Sequence, residues 1–423
     1  MKIGICQINP TVGAINKNKQ LILENYNRSI SLGAELVVFP ELALTGYPPQ
    51  DLLLREQFLT NTENALDEIV KCTSTPMILG STLVENSHLF NCSFLCENGK
   101  IVGHYKKILL PTYDVFDEDR YFKSGSEPSV FELTISGQSQ RIGLQICEDL
   151  WDHNYSKDLA EPIKETGADI IINISASPFG DDRLIERSNL IKAKAQKTRL
   201  PFVYCNMVGS QDELIFDGQS LVYGPDGNLI AKGKAFEEDL LIVDLKETNQ
   251  INLPRMKREE SLYKALILGV KDYFSKTGHH QAVIGLSGGI DSSLTACIAV
   301  EALGKNNVYG ISMPSKHSSQ HSIDDAKATA EALGINFIMQ PITELHQATD
   351  SSLSHILEGG HPVAGENLQA RLRGLIVMAH ANSHGAMAIA TGNKSELGQG
   401  YCTLYGDMAG GYAPLGDLYK MEV

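Results

Sequence analysis

The sequence lacks any apolar stretch long enough to cross a membrane. Its longest apolar runs, such as 168–174, are far shorter than the roughly 20 residues that a spanning helix needs. The N-terminus reaches the polar residues Gln7 and Asn9 too soon for a signal peptide. These absences argue against an integral membrane protein, and they predict a cytoplasmic location without a membrane partner.

Paired cysteines and an excess of positive charge are missing as well. The eight cysteines are scattered and form no Cys-x-x-Cys pair, which indicates reduced, buried thiols rather than a disulfide framework. The formal net charge of −15 disfavours nonspecific binding to nucleic acid. It does not prevent binding of an anionic small molecule, because amides and basic side chains can be clustered locally.

At 423 residues the chain is too long for one compact core, so two domains are expected. Residues 1–246 alternate between strand-like and helical patterns, with hairpin signals at 97–100 and 225–228, and predict an α/β domain. The predicted strands are 3–8, 36–39, 77–81, 142–146, 170–174 and 202–205, and the predicted helices are 21–32, 58–72 and 183–199.

A polar, charged stretch at 247–260 contains Pro254 and predicts a linker. Residues 261–423 then alternate strands with helices, the pattern of a parallel, doubly wound sheet. The predicted strands are 282–286, 308–313, 336–340 and 386–390, and the predicted helices are 261–276, 292–303, 323–333 and 367–382.

Three reactive residues of the first domain each follow an apolar strand-like run: Glu41, Lys107 and Cys147. Strand ends of an α/β sheet meet in one crevice, so the three side chains could lie together. Amide hydrolysis needs a nucleophile, a base and positive charge at the oxyanion. Lys107 would lower the thiol pKa and, with backbone N–H groups after Cys147, stabilise the oxyanion, while Glu41 would take the proton and later activate water. Taken singly, each residue could also be ordinary packing or solvated surface.

The segments around these residues resemble the nitrilase superfamily. Phe39-Pro40-Glu41-Leu42, Tyr105-Lys106-Lys107 with Leu110-Pro111, and 145–151 are similar to its three signature segments, in the same order, and 113–118 resembles the glutaminase domain of NAD synthetases. The resemblance covers about 1–245 and implies an α-β-β-α sandwich with Glu41 as base, Lys107 as oxyanion stabiliser and Cys147 as nucleophile. It also implies a set of glutamine-binding residues: Tyr113, Glu118, Glu148, Ser175 and Arg183.

A second reactive segment joins strand 282–286 to the helix that follows. Two successive glycines, Gly288 and Gly289, permit a tight turn with open amides, and serines and a helix N-terminus add donors and a positive dipole. The segment predicts a phosphate site. It has no lysine of a Walker A loop and no G-x-G-x-x-G fingerprint, and an ordinary glycine turn with a capped helix is the alternative.

The segment Ser-Gly-Gly-x-Asp-Ser resembles the ATP pyrophosphatases, and 313–326, 366–373, 390–396 and 400–407 resemble NAD synthetases within that group. The resemblance implies a fold of the adenine nucleotide alpha hydrolase type that binds ATP and Mg²⁺. The implied ATP contacts are Gly285, Ser287, Gly288, Gly289, Ile290, Asp291, Ser292, Ser293, Gln320 and Thr391; the implied deamido-NAD⁺ contacts are Asn367, Arg371, Asn393, Lys394 and Lys420; and the implied Mg²⁺ ligands are Asp291 and Glu396. From the residues alone, Arg371 and Glu396 could equally be exposed on helix surfaces.

Both halves together resemble the glutamine-dependent NAD⁺ synthetases, a family of ligases. The resemblance implies that ammonia from glutamine travels through a tunnel to adenylated deamido-NAD⁺, with release of AMP and pyrophosphate, in a homo-oligomer, commonly an octamer. Relatives continue beyond Lys420, and Met421 stands where threonine is usual, so a shortened synthetase domain is expected. The alternative function is a stand-alone amidase or glutaminase of the nitrilase family with a vestigial second domain.

Overall fold

The computed structural model describes residues 1–246 and 250–423. Contacts divide the described chain into two units, Met1–Met256 and Lys257–Val423. Of the predicted linker 247–260, residues 247–249 lie outside the described residues, and the first helix of the second unit already begins at Arg258. The domain limits therefore stay predictions, with this helix start three residues earlier than expected.

The first unit contains four α-helices and fourteen strands within its described residues. The strands are β1 Lys2–Gln7, β2 Leu36–Val38, β3 Met77–Glu85, β4 His88–Glu97, β5 Lys100–Lys106, β6 Ser129–Ile135, β7 Gln138–Ile146, β8 Ile170–Ser175, β9 Phe202–Asn206, β10 Val208–Gln211, β11 Leu214–Asp217, β12 Leu221–Tyr223, β13 Leu229–Lys232 and β14 Asp239–Asp244. The helices are α1 Ile15–Ser31, α2 Glu56–Lys71, α3 Ala160–Glu165 and α4 Arg183–Thr198. Short 3-10 helices lie at Gln50–Leu54, Glu118–Arg120 and Cys147–Tyr155.

Two six-stranded sheets of this unit pack face to face. Their strand orders are β14-β1-β2-β3-β4-β5 and β13-β12-β9-β8-β7-β6. Alternate apolar side chains of both sheets form one buried core between them, while α1 and α2 cover the outer face of the first sheet and α3 and α4 that of the second. This is the α-β-β-α sandwich that the nitrilase resemblance implies. The inner strands β2, β8 and β9 are buried on both faces, which explains their apolar runs in the sequence.

The predicted hairpin at 97–100 is confirmed. Strand β4 ends at Glu97 and β5 begins at Lys100, so Asn98 and Gly99 form a two-residue turn. Both have positive φ, 49° and 73°. Asparagine and glycine tolerate this left-handed backbone, as such hairpin turns require.

The second unit has its own sheet and core. Its strands are β15 Ala282–Gly285, β16 Val308–Ser312, β17 Asn336–Met339 and β18 Met387–Ile389. Its helices are α5 Arg258–Thr277, α6 Ile290–Leu303, α7 Gln320–Leu333, α8 Thr343–Leu357, α9 Val363–His384 and α10 Lys394–Gln399, with a 3-10 turn at Lys305–Asn307.

These four strands are parallel, in the order β17-β16-β15-β18. Helices α5, α6 and α7 pack on one face and α9 on the other, as a doubly wound sheet requires. The order reverses beside β15, so the loop after β15 lies at the point where such sheets open a crevice. Over 1–246 and 250–423, no helix has both the length and the hydropathy needed to cross a membrane.

Most predicted elements are confirmed within a few residues, and the misses have a physical cause. Helix α8 was not predicted because none of its residues is buried, so no apolar stripe marks it. Strands β10 to β14, which are three to six residues long, were not predicted either. Helix α1 begins six residues before its predicted start, because its first two turns contain only one large apolar residue, Ile15.

Candidate active sites

Cys147 occupies a strained turn directly after β7. Its φ is +39°, in the left-handed region that non-glycine residues seldom adopt, and the 3-10 helix Cys147–Tyr155 starts there. Such strain tends to occur at functional sites, where the surrounding structure holds it in place. Residue Cys147 is only 5% exposed, so its thiol is buried at the carboxyl end of β7, where strand ends are expected to form a crevice.

The ammonium group of Lys107 joins two carboxylates in this crevice. Lys107 Nζ donates to Glu41 Oε1 at 2.7 Å and to Glu118 Oε1 at 2.7 Å, and all three side chains are buried. The other oxygen of Glu41 accepts from the backbone N–H of Ala176 at 2.9 Å. The predicted trio therefore meets, since Cys147 interacts electrostatically with both Glu41 and Lys107.

Burial sets the charge state of this cluster. It raises the pKa of the Cys147 thiol well above its ordinary value, and Glu41 adds to the effect more than Lys107 opposes it. Lys107 does lower the thiol pKa, as expected, but burial and the Glu41 carboxylate outweigh this one cation, so the net shift is upward. Burial works against the charge of Lys107, yet Glu118 and Glu41 raise its pKa well above the usual value. The resting site thus holds a protonated thiol beside a firmly charged ammonium.

Glu118 and Glu148 are two further carboxylates near Cys147. Burial raises the pKa of Glu118 to about 7 against the pull of Lys107, and its Oε1 also accepts from Tyr47 at 2.8 Å. Glu148 accepts from the hydroxyls of Tyr113 at 3.0 Å and Tyr155 at 2.9 Å. Burial raises the pKa of Glu148 as well. A carboxylate with two phenol donors, one of them half-exposed, is suited to fixing a cationic group of a substrate.

The segment between β15 and α6 in the second unit forms a tight glycine–serine turn. Gly288 has φ +80°, and a Cβ there would lie 2.2 Å from the carbonyl oxygen of Ser322. Inside the turn, the Ser287 hydroxyl lies 3.1 Å from that of Ser292 and accepts from Gly289 N–H at 3.2 Å. The turn thus precedes a 14-residue helix whose N-terminal dipole attracts anions.

A cavity of about 260 Å³ opens beside this turn, at the carboxyl ends of β15, β16 and β18. Its walls combine backbone of the glycine–serine turn with apolar side chains and a few polar groups. The lining includes Gly285, Ser287, Ser318, Ser322, Arg373 and Thr391. A concave, mostly apolar site with a few polar groups is typical of small-molecule binding.

Asn393 brings the two predicted Mg²⁺ ligands together. Its side chain donates to Asp291 Oδ1 at 3.3 Å and accepts from Glu396 N–H at 3.0 Å, while Glu396 Oε2 accepts from Asn393 N–H at 3.0 Å. Lys420 is paired with the other oxygen of Asp291. In the described parts of the chain no three His, Cys, Asp or Glu residues cluster as metal ligands. Two carboxylates fit Mg²⁺ only where substrate phosphates complete its coordination, which is its usual mode in phosphate chemistry.

Comparison with known proteins decides the family. A carbon–nitrogen hydrolase family model matches residues 2–251, and an NAD synthase family model matches residues 262–423. A glutamine-dependent NAD(+) synthetase of Synechocystis is 42% identical over the whole chain, which spans 79% of that relative. The chain belongs to the glutamine-dependent NAD(+) synthetases.

Further members of this family agree. The synthetase of Aquifex aeolicus is 39% identical, with all of this chain and 80% of the relative covered. The structure of the Acinetobacter baumannii glutamine-dependent NAD+ synthetase in complex with ADP superimposes with a TM-score of 0.93 at 34% identity, covering 100% of this chain and 80% of that one. Because these synthetase matches run through both units, they support the family over a stand-alone amidase.

Several residues that the synthetase resemblance implied as ligand contacts are engaged with protein groups. The Ser175 hydroxyl is buried and donates to Asn173 at 2.7 Å, Gln320 donates to Asp324 at 2.9 Å, and Lys394 pairs with Asp417 at 2.6 Å. Asn367 accepts from Thr403 at 2.9 Å, and Arg371 donates to the Leu404 carbonyl at 3.3 Å. Their roles as substrate contacts stay predictions, as does that of Arg183, which pairs with Glu186 at 3.2 Å and lies over the Trp151 ring.

Sequence reasoning missed other members of these sites. Arg373 lines the cavity, whereas Arg371 does not; residues two apart on a helix point about 200° apart, so the two cannot share one face. The same geometry turns Ser322 into the cavity and Gln320 away from it. In the first unit Asn91 donates to Glu41 Oε1 at 2.7 Å. Arg373 and Ser322 lie within recognised segments and Asn91 lies outside them, but in each case only the fold decides which way the side chain points.

We expect Gly288→Ala to damage the glycine–serine turn of this synthetase. Alanine at φ +80° is strained, and its Cβ would collide with the Ser322 carbonyl. The free energy of unfolding of the second unit should fall by about 1–3 kcal/mol, and ATP binding should weaken. Thermal unfolding with and without ATP measures both effects.

Gly278→Ala is the matched control for this substitution. Gly278 ends α5 with φ +78°, but nothing lies within 4 Å of its would-be Cβ. Backbone strain should destabilise this variant by a similar amount, while its ATP binding stays as in the wild type. Equal ATP binding by both variants would contradict a phosphate role for the turn.

Proposed function

We propose that the first unit hydrolyses glutamine through Cys147 and that the second unit uses the ammonia to amidate deamido-NAD⁺ at the cost of ATP. The observation that carries the glutaminase is the buried Lys107 ammonium, 2.7 Å from Glu41 and in the electrostatic range of Cys147. Nucleophile, base and positive charge are thus in one crevice, as amide hydrolysis requires.

Attack begins from the thiol, because burial holds its pKa high. As the Cys147 sulfur bonds to the side-chain carbonyl carbon of glutamine, Glu41 accepts the proton, and the Lys107 ammonium stabilises the oxygen that becomes negative. Glu41 then gives the proton to the departing nitrogen, so ammonia leaves and a γ-glutamyl thioester remains. Water, deprotonated by Glu41, cleaves the thioester to glutamate and restores the thiol.

The Glu148 carboxylate favours glutamine as the amide substrate. It is buried and tied to Tyr113 and Tyr155, and a carboxylate next to the nucleophile suits the α-ammonium group of an amino acid. Tyr113, half-exposed at the mouth of the crevice, would contact the same substrate. Arg183, which lies over the ring of Trp151 in the 3-10 helix Cys147–Tyr155, would attract the substrate's α-carboxylate.

In the second unit, ATP would lie in the cavity beside the glycine–serine turn. Ser287 and the turn amides would hold the phosphates, and Thr391 with the cavity walls would hold the nucleoside. The carboxylate oxygen of deamido-NAD⁺ attacks the α-phosphorus, pyrophosphate leaves, and ammonia then displaces AMP from the acyl adenylate. The ADP complex of the Acinetobacter baumannii relative supports an adenine nucleotide here.

Asp291 and Glu396 would hold Mg²⁺, which neutralises charge on the leaving pyrophosphate when it is bound. Asn393 fixes both carboxylates, and Lys420 supplies a cation on Asp291. The tunnel, the octamer and the cytoplasmic location stay predictions.

The assay follows NAD⁺ formation from deamido-NAD⁺, ATP and Mg²⁺, with glutamine or with ammonia as nitrogen donor. Chelation of Mg²⁺ by EDTA should stop NAD⁺ formation with both donors, because adenylation needs charge neutralisation at the phosphates. Glutamate release from glutamine should continue, since the proposed chemistry of Glu41, Lys107 and Cys147 uses no Mg²⁺. Mg²⁺ added in excess should restore synthesis. NAD⁺ formation that continues in EDTA would refute the assigned metal role.

A further inference from the structure

Asp149 is a fully buried carboxylate beside the glutaminase crevice that the proposed chemistry does not use. It lies two residues after Cys147 in the 3-10 helix Cys147–Tyr155. An ionised group in the interior is costly unless hydrogen bonds compensate it. Its contacts therefore indicate what it does.

Both oxygens of Asp149 accept hydrogen bonds. Oδ1 accepts from the backbone N–H groups of Ile108 at 3.3 Å and Leu109 at 3.0 Å. Oδ2 accepts from the N–H of Ile146 at 2.9 Å and from the Tyr105 hydroxyl at 2.8 Å. Each carboxylate oxygen thus accepts two hydrogen bonds.

The donors belong to only two segments, and each carries a reactive residue. Tyr105, Ile108 and Leu109 flank Lys107, and Ile146 directly precedes Cys147. We propose that Asp149 is a positioning residue that holds the Lys107 segment against the Cys147 turn, so that the ammonium stays aligned with the carbonyl under attack. The inference rests on the proposed glutaminase function.

Two observations support a positioning role over simple packing. Burial raises the pKa of Asp149 to about 6, while the hydrogen bonds from Ile146, Leu109 and Tyr105 and the charge of Lys107 lower it. All four partners are donors, which favours the ionised, acceptor-only form of Asp149 and strengthens these hydrogen bonds. The turn that it fixes is also strained at Cys147, and such strain needs a neighbour to maintain it.

Asp149→Asn should break the hydrogen bonds to one of the two segments that Asp149 joins. Asparagine has the same size but one acceptor oxygen, so in either orientation its NH₂ group faces a backbone N–H of Ile108 and Leu109 or of Ile146. A small displacement of Lys107 from Cys147 is expected to lower kcat for glutamine hydrolysis by about 100-fold. The KM for glutamine should change by no more than about threefold, because the binding groups are untouched.

Two companion variants separate position from stability. Asp152→Asn removes another buried carboxylate of the same 3-10 helix, whose partners are Leu159 N–H at 2.8 Å and Lys194 at 2.6 Å. It should lower thermal stability and leave kcat unchanged. Tyr105→Phe deletes one donor without leaving a buried donor unpaired, and should lower kcat in the same direction as Asp149→Asn, by about threefold.

The experiment measures, on the full chain, glutamate release, ammonia-driven NAD⁺ formation and thermal unfolding for wild type and the three variants. Loss of kcat in Asp149→Asn with normal ammonia-driven synthesis supports the proposal. Wild-type kcat in that variant, or an equal loss in Asp152→Asn, overturns it. If Asp149→Asn does not fold, Tyr105→Phe decides: a kcat equal to that of Asp152→Asn overturns the proposal. A wild-type chain without glutaminase activity instead refutes the function on which the inference rests.

Discussion

Cys147→Ala should abolish glutamine-dependent NAD⁺ formation and leave ammonia-dependent formation at the wild-type rate. The thiol supplies the bond to the acyl group, and neither Glu41 nor Lys107 can replace it, because Glu41 acts as the base and the charged ammonium of Lys107 has no free electron pair. Loss of a nucleophile of this kind typically costs on the order of 10⁴–10⁶ in rate. Rates with each nitrogen donor, at saturating ATP and deamido-NAD⁺, measure the effect.

Cys96→Ala is the matched control. Cys96 is also a buried thiol of the first unit, and burial raises its pKa to about 12, but it lies on β4 within the core that α1 and α2 cover. Its removal should cost stability and leave both rates in place. If Cys147→Ala kept glutamine-dependent synthesis, the nucleophile would be misassigned; if it lost ammonia-dependent synthesis, the two activities would not be separable as proposed.

The reactive trio could be predicted because it depends only on where strands end. Glu41 and Lys107 follow β2 and β5 of one sheet, and Cys147 follows β7 of the sheet packed against it, so their strand ends converge whatever their distance along the chain. The direction of the thiol pKa could not be predicted in this way. It depends on how much solvent the surrounding core excludes, and burial proved larger than the effect of the Lys107 charge.

The residues that support Glu41, Lys107 and Cys147 could not be predicted from the sequence either. Asn91 lies inside β4, and nothing in its apolar surroundings marks it, yet the pairing of β4 with β3 and β5 places it beside Glu41. Gly80 on β3 has no reactive group, but a Cβ there would lie 2.3 Å from the Pro40 carbonyl and 2.7 Å from Glu41 Cα. Only a glycine lets that strand approach the Glu41 segment so closely.

In the second unit as well, the sequence predicted the position of the glycine–serine turn but not all of its contacts. Its position between a strand and a helix followed from the sequence, and β15 and α6 confirm it. The ion-pair partner of Asp291 could not be predicted from the sequence. Lys420 was assigned to deamido-NAD⁺, whereas its ammonium pairs with the Asp291 carboxylate. A residue 129 positions away reaches the turn only through the fold.

Asp291→Ala should remove NAD⁺ formation with glutamine and with ammonia alike. The substitution deletes one of two carboxylates that Asn393 holds together, and it leaves the Lys420 cation without its partner. Charge on the departing pyrophosphate would then be poorly neutralised, and the rate should fall on the order of 10³-fold. Glutamate release should continue, because Asp291 belongs to the second unit.

Asp272→Asn tests whether any lysine–aspartate pair of this unit would give the same result. Asp272 lies on α5 and pairs with Lys276 at 3.3 Å, and α5 contributes no residue to the cavity wall. Its loss should lower the midpoint of thermal unfolding while both synthesis rates persist. Ammonia-driven synthesis that survives Asp291→Ala would refute the metal role, because a group needed at the phosphates is needed whichever donor supplies the nitrogen.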